Sequence, residues 1–169
     1  MVDNSIQHVN YSIDKRKLLK KIELFGNLSE IQNQTMIKIK PLLVNMSIIE
    51  NNLGQITLNP YVAPVISEFF SKNFAANFVN ENDADILING IINTRAMSEE
   101  PNEYGIYQVF ADLTISISYG QSGKEILKKS FNKIQGSDFN SNHEAANHSL
   151  KKMSERILQD FLPDILKSL

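Results

Sequence analysis

The spacing of apolar and polar positions changes several times along the chain, and each change predicts a different element. The clearest alternation lies in YQVFADLTISISY, where every second residue from Val109 to Tyr119 is apolar and most of the others are polar. A strand with one buried face has this pattern. The following GQSGK has turn composition, so EILKKSFNKI is predicted to return as an antiparallel partner strand.

Two more segments have the composition of strands. ADILINGII is apolar almost throughout, which predicts a central strand that is covered on both faces. MIKIKPLLVNMSII alternates between apolar and polar residues, and Pro41 within it indicates an edge position or a bulge. ENNLGQ, which follows, is predicted to be a turn.

Three segments repeat their apolar residues at the spacing of a helix. A short basic helix is predicted from Asp14 to about Phe25, and a longer one in NPYVAPVISEFFSKNF. The last is predicted from His143 to about Leu162, where Pro163 kinks or ends it. The core is predicted to join both long helices to the sheet through Phe69, Ile88, Leu113, Ile115, Leu150 and Ile157.

The order of these elements predicts an α+β fold. Consecutive strands with a five-residue turn between two of them indicate an antiparallel meander sheet, packed with two long helices and a shorter N-terminal helix. Residues 1–12 are polar and are predicted to be disordered. Residues 13–169 are predicted to form a single domain, because 169 residues with 42% apolar content suffice for one core.

Charge and composition exclude several classes of function. The net charge of −2 gives no reason to expect nucleic-acid binding, and no apolar run approaches the 18 residues of a membrane span. The chain has no cysteine and therefore no disulfide bond. Its N-terminus lacks the apolar segment of a signal peptide.

The segment SNHEAANH has some likeness to the H-E-x-x-H motif of zinc hydrolases, but its spacing differs. His143 and His148 are five positions apart, so on a helix their side chains point about 140° apart and cannot reach one metal ion. Ser141 and Glu144 have the spacing of a capping box. The segment therefore predicts a helix start and no metal site.

The other motifs also favour structure over chemistry. GQSGKE is too short for a phosphate loop, and NENDADI runs directly into an apolar strand instead of forming a calcium loop. No cysteine nucleophile and no G-x-S-x-G motif is present. We therefore expect neither enzymatic activity nor a cofactor. A hydrolase using His143, Glu144 or the acidic residues at 99–103 is the alternative that the residues leave open.

The order of motifs in residues 36–162 resembles a periplasmic module of bacterial outer-membrane lipoproteins. The motifs are ADILINGII, then YQVFADLTISI, then SGKEI, then a helix that contains EAA. Similar modules occur in the curli-secretion lipoprotein, the lipoprotein activators of penicillin-binding proteins and the N-terminal domain of TolB. This chain lacks the tryptophan that the activators carry after the hairpin, and it lacks the lipid-bearing cysteine.

The resemblance implies a non-enzymatic binding or assembly module in a bacterial cell-envelope lipoprotein, periplasmic or associated with the outer membrane. It implies protein-protein contacts, and it leaves open whether the partner is another envelope protein or a second copy of the chain. Contact with a membrane would be made only through a lipid anchor. The alternative is a small-ligand or glycan-binding domain, with a pocket lined by aromatic residues such as Tyr104 and Tyr107.

Two surfaces are candidates for the contact. The loop RAMSEEPNEYG is long for a connection between strands, and long loops on a rigid scaffold often serve recognition. Its binding residues are predicted to be Met97 and Tyr104, which can bury apolar area, and Glu99, Glu100 and Glu103, which can attract a basic partner. The second candidate is the sheet edge near IKIKPLLV, which could accept a partner's strand unless Pro41 blocks it.

Overall fold

The computed structural model describes residues 41–169, so the predicted helix at 14–25 and the polar stretch 1–12 lie outside the described residues. The strands are β1 (Leu43–Asn52), β2 (Gln55–Ile56), β3 (Asn77–Phe78), β4 (Ile86–Ala96), β5 (Tyr107–Tyr119) and β6 (Glu125–Asp138). The helices are α1 (Val62–Phe74), α2 (Asn142–Arg156) and α3 (Leu162–Ser168), with a 3-10 turn at Glu81–Asp83 and a widened π turn at Ile157–Phe161. The described part of the chain is therefore α+β.

The sheet is mixed, and in this respect the predicted antiparallel meander is wrong. The strand order is β2-β1-β4-β5-β6, and β3 also pairs with β1. The β4–β5–β6 part is the predicted antiparallel meander, whereas β1 runs parallel to β4, with Val44 opposite Ile86. The reason is the connection: α1 lies between β1 and β4 and carries the chain back to the end of the sheet where β1 began, as a parallel pair requires.

The described helices lie on one face of the sheet. Ile86, Ile88 and Ile92 of β4 are buried on the helix side, but Ile91 on the other face is 52% exposed. Among residues 41–169, no helix covers the second face of this central strand, which differs from the prediction. An apolar run cannot say how many faces are covered, because isoleucine tolerates half-exposed positions in a strand.

The core forms between this face and the helices, largely as predicted. Ile88, Leu113, Ile115, Leu150 and Ile157 are at most 1% exposed and belong to one cluster. Phe69 is an exception, since it packs against the cluster only in part while its neighbour Phe70 is fully buried.

Helix α1 is joined to β1 through a buried carboxylate. Glu50 lies near the end of β1 and is 2% exposed. Its side chain accepts hydrogen bonds from the backbone N–H groups of Tyr61 (2.9 Å), Val62 (2.8 Å) and Ala63 (3.1 Å). Three free N–H groups of the first turn are thereby satisfied by a residue of another element, and the helix dipole favours the negative charge.

Helix α2 lies unusually close to β6 because small residues meet there. A Cβ atom added at Gly136 would be 2.0 Å from the Ala145 carbonyl oxygen and 2.4 Å from the Ser149 nitrogen. A glycine at this strand position therefore sets the distance between the helix and the sheet. Pro163 lies in the first turn of α3, directly after the π turn, and the chain continues in helical conformation to Ser168, so Pro163 does not end the helix.

The two edges of the sheet are built differently. At the β6 edge, side chains of α2 contact backbone carbonyls of the strand: His148 donates to Ser137 (2.9 Å) and Lys152 to Gln135 (3.0 Å). At the other edge, β1 is flanked by the two-residue strands β2 and β3. Pro41 precedes β1, and the part of the predicted strand before it, residues 36–40, lies outside the described residues.

Candidate functional site

The five predicted binding residues lie together on the loop that joins β4 to β5, residues 97–106. Met97 is 65% exposed, Tyr104 is 73% exposed, and the carboxylates of Glu99, Glu100 and Glu103 are also at the surface. The loop emerges where β4 ends, at the same end of the sheet as the β6–α2 connection, because Tyr107 pairs with Asp138. We call this end, made of residues 97–106 and 139–144, the tip surface.

Hydrogen bonds within the loop define its shape. The Asn102 side chain accepts from the backbone N–H groups of Tyr104 and Ile106, both at 3.0 Å. The Asn102 backbone forms two further bonds, donating to the Ile106 carbonyl at 3.0 Å and accepting from Gly105 N–H at 2.8 Å. Gly105 has a φ of +74°, which favours glycine at this turn. An asparagine and a glycine thus place Tyr104 at the apex.

The loop is also attached to the start of α2. Asn142 Nδ2 donates to the carbonyl oxygens of Ser98 (2.9 Å) and Glu99 (3.2 Å). Asn142 is itself positioned by the helix start, where Ser141 Oγ accepts from Glu144 N–H at 3.2 Å. This bond is one half of the predicted capping box. The acidic loop is therefore connected to a helix of the core.

The tip surface combines apolar area with negative charge. Phe139, in the connection before α2, is 72% exposed and adds a third large apolar side chain to Met97 and Tyr104. Exposed apolar side chains can bury area against a partner, and the three glutamates favour a basic partner and disfavour an acidic one. The arrangement is suited to binding a protein surface.

Sequence reasoning missed Phe139 and Asn142. A signal for Phe139 was present, since it stands alone between polar turn residues in SDFNSN, where no apolar periodicity predicts its burial. Asn142 carried no such signal. Its role depends on a contact with Ser98, which lies 44 residues earlier in the chain, and a single sequence does not show this contact.

The histidines of SNHEAANH have different surroundings. His148 Nδ1 lies 2.9 Å from the Ser137 carbonyl oxygen and 3.7 Å from Asp138 Oδ2, whereas His143 is exposed on the first turn of α2. Across residues 41–169, no three His, Cys, Asp or Glu side chains are close enough together to hold a metal ion. The role of His148 in this structure is to contact the β6 edge.

The structure has a cavity beside β1, but Tyr104 and Tyr107 do not line it. Tyr104 is at the loop apex and Tyr107 is half-buried on β5. A cavity of about 590 Å³ lies instead at the far end of the sheet beside the first half of β1, lined by Asn45, Met46, Ser67, Phe78, Val79, Asn80 and Asp83. The predicted aromatic pocket thus has no counterpart at this cavity.

Comparison with known proteins shows no family. No protein-family model and no curated protein matches the sequence. A candidate lipoprotein from Caulobacter crescentus is 9% identical, with a TM-score of 0.43, 73% of this chain covered and 88% of that one. A minor lipoprotein from Acinetobacter baumannii is 11% identical, with a TM-score of 0.42 and coverages of 74% and 96%.

The PelC dodecamer from Paraburkholderia phytofirmans is a third similar structure. It is 13% identical, with a TM-score of 0.37 and coverages of 68% of this chain and 87% of that chain. Two of these three neighbours are thus described as bacterial lipoproteins. In residues 41–169, no helix has the length and apolar content that a membrane crossing requires.

Proposed function

We propose that this chain is a non-enzymatic binding or assembly module of the bacterial cell envelope that contacts a basic protein partner through its tip surface. The observation that carries the proposal is the combination at this surface: exposed Met97, Tyr104 and Phe139 beside three exposed glutamates, on a loop attached to α2 by Asn142. The envelope location, periplasmic or at the outer membrane, is supported by the motif order in residues 36–162.

The attachment of the loop matters for binding as much as its composition. A loop that is already ordered loses little conformational entropy when a partner binds, so more of the contact energy appears as affinity. Aromatic and methionine side chains are enriched in the centres of protein interfaces, and charges are more common at their rims. Tyr104 at the apex with glutamates around it has this arrangement.

The test is a pull-down from bacterial envelope extract with wild type and with the triple variant Met97→Ala, Glu100→Lys, Tyr104→Ala. We expect the variant to lose a partner that wild type retains. The matched control is Tyr119→Ala, Glu155→Lys, Leu166→Ala, which makes the same kinds of change at exposed positions away from the tip surface. It is expected to retain the partner.

Circular dichroism and thermal unfolding establish that both variants are folded. An unchanged set of partners for the folded loop variant would contradict the role of the tip surface. Hydrolysis of a glycan or a peptide by the wild-type protein would contradict the non-enzymatic function as a whole.

A further inference from the structure

The middle of the outer edge of β1 has backbone groups that no residue of 41–169 pairs with in a strand. The carbonyl oxygens of Leu42, Val44 and Glu50 point away from β4 and accept N–H groups at the two flanking short strands or beside them. Successive residues of a strand point their N–H and C=O groups to opposite sides. The groups of Met46 and Ile48 therefore point away from β4, as those of Val44 and Glu50 do. Within residues 41–169, no strand pairs with them on that side.

The cavity of about 590 Å³ lies at this open edge. One wall is β1 itself at Asn45 and Met46, and another is Ser67 of α1. The third wall follows β3, where Phe78 is 43% exposed. The open stretch between the two short strands, residues 45–49, is about 16 Å long at roughly 3.3 Å per residue, which suits a segment of four or five residues.

The charge around this cavity is negative. Asp83 lines it, and Glu81 lies in the same 3-10 turn, while no lysine or arginine is among the wall residues that belong to the described range 41–169. Helix α1 has one basic residue, Lys72, which is paired with Glu68 of the same helix. A ligand with basic side chains is therefore favoured at this edge.

We propose that the outer edge of β1 accepts an extended segment of a partner protein, in which aliphatic and basic residues alternate, and adds it to the sheet as a short strand. Main-chain bonds to Met46 and Ile48 hold the segment, since strand addition uses backbone pairing for affinity and side-chain pockets for specificity. An aliphatic side chain of the segment contacts Met46 and Phe78 in the cavity, and a basic side chain faces Asp83. This site is separate from the tip surface.

The test uses the full 169-residue chain, labelled with ¹⁵N, and a blocked synthetic peptide, Ile-Lys-Ile-Lys-Ile. The amides of Met46 and Ile48 are expected to exchange readily in the free protein and to become about tenfold more protected with saturating peptide. The amides of Ser47 and Ile49 face β4, so they are expected to be protected already and to stay unchanged.

Two variants test the role of charge without altering β1. Asp83→Lys reverses the charge in the cavity wall and is expected to weaken peptide binding about tenfold. Glu155→Lys makes the same reversal of charge at an exposed position of α2 that belongs neither to the cavity wall nor to the tip surface, and it is expected to leave the affinity unchanged. The triple variant of the tip surface is also expected to bind the peptide normally, which separates this proposal from the proposed function.

Three results would overturn the proposal. One is equal peptide affinity of wild type and Asp83→Lys, and another is the absence of any protection at Met46 and Ile48 with peptide at millimolar concentration. The third is that Met46 and Ile48 amides in the free full-length chain are as protected as those of Ser47 and Ile49. In that case the chain would already occupy its own edge.

Discussion

The two edges of the sheet differ in how their backbone groups are satisfied. At the β6 edge, His148 and Lys152 of α2 bind the carbonyl oxygens of Ser137 and Gln135. At the β1 edge, two-residue strands pair with the ends of the strand, and among the described residues the middle has no strand beside it. Side chains of α2 protect the last part of the β6 edge, whereas short strands shorten the β1 edge.

This difference indicates where a partner strand can be added. An exposed edge strand is a template for unwanted pairing, and proteins protect such edges with charged side chains or keep them short. Lysine and histidine side chains on the β6 carbonyls act in this way. The β1 edge admits one short segment of defined length, because β2 and β3 limit it on both sides. Selective strand addition requires a limit of this kind.

The largest expected effect comes from Glu50, which attaches α1 to the open edge. In Glu50→Ala the N–H groups of Tyr61, Val62 and Ala63 lose their acceptor, and a buried donor without a partner costs about 1–3 kcal/mol. We expect the free energy of unfolding to fall by about 3 kcal/mol in urea titrations. Since α1 forms one wall of the cavity, peptide binding at β1 is expected to weaken as well.

Two controls isolate the capping role of Glu50. Glu50→Gln keeps an acceptor oxygen and is expected to lose less stability than Glu50→Ala. Glu68→Ala removes an exposed carboxylate from the same helix, where its partner is Lys72, and is expected to change stability by less than about 1 kcal/mol. Equal losses in Glu50→Ala and Glu68→Ala would contradict the buried cap.

A slightly smaller effect is expected at the β6 edge from Gly136→Ala. The added methyl group would lie 2.0 Å from the Ala145 carbonyl oxygen, and backbone can move aside only if α2 shifts away from β6. We expect a loss of about 2 kcal/mol in the free energy of unfolding, as for overpacked cores. The shift is also expected to move the NMR signals of His148 and Lys152.

The matched control is Gly90→Ala in β4. A Cβ atom there would be 3.5 Å from Ile48 and 3.6 Å from Ile115, which are ordinary contact distances. Its stability is therefore expected to be unchanged within about 1 kcal/mol. If both alanine variants lost the same stability, the close approach of α2 to β6 would not be the cause.

Removing the two side chains that protect the last part of the β6 edge is expected to change association more than stability. In the double variant His148→Ala, Lys152→Ala, the carbonyl oxygens of Ser137 and Gln135 lose exposed partners, which costs about 1 kcal/mol or less. The uncovered edge is then expected to increase concentration-dependent association in sedimentation experiments. A control variant, Lys151→Ala on the exposed side of α2, is expected to associate no more than wild type.

The smallest effect concerns acid and the ion pair that joins β6 to α3. Hydrogen bonding from Lys129, and then its charge, lowers the pKa of Asp164 below the ordinary value of 3.8. The folded-state pKa is thus below the unfolded one, so the stabilisation is present above pH 3.8 and is lost as the pH falls through the folded-state pKa. Asp164→Asn is expected to remove this small acid-dependent loss in urea titrations at pH 7 and pH 3.

Much of the fold was predictable because its elements depend on local pattern. The alternation from Val109 to Ile117 gave the correct buried face of β5, and GQSGK gave the hairpin to β6. The parallel partner of β4 was not predictable from pattern, since the apolar periodicity of β1 is the same for either direction. The direction of β1 relative to β4 is set by the connection between them, which crosses over through α1.

The candidate site was predictable in composition but not in structure. The length and acidity of residues 97–106 are visible in the sequence, and they led to the loop and its five binding residues. What attaches the loop is Asn142, and what completes the surface is Phe139, both from another part of the chain. The sequence indicated the edge near IKIKPLLV, but the open part of the β1 edge lies after this segment. The reason is that β3 already pairs with the backbone groups near Val44 that point away from β4.

The mixed topology also has a consequence for the order of folding. The meander β4–β5–β6 forms between neighbours in sequence, whereas β1 must find β4 across the whole of α1, as in the pairing of Val44 with Ile86. Closing the longer loop costs more chain entropy and is slower. We therefore expect β1 and α1 to dock last and to detach first in native-state hydrogen exchange. The strand that offers the open edge would then also be the one most easily released from the sheet.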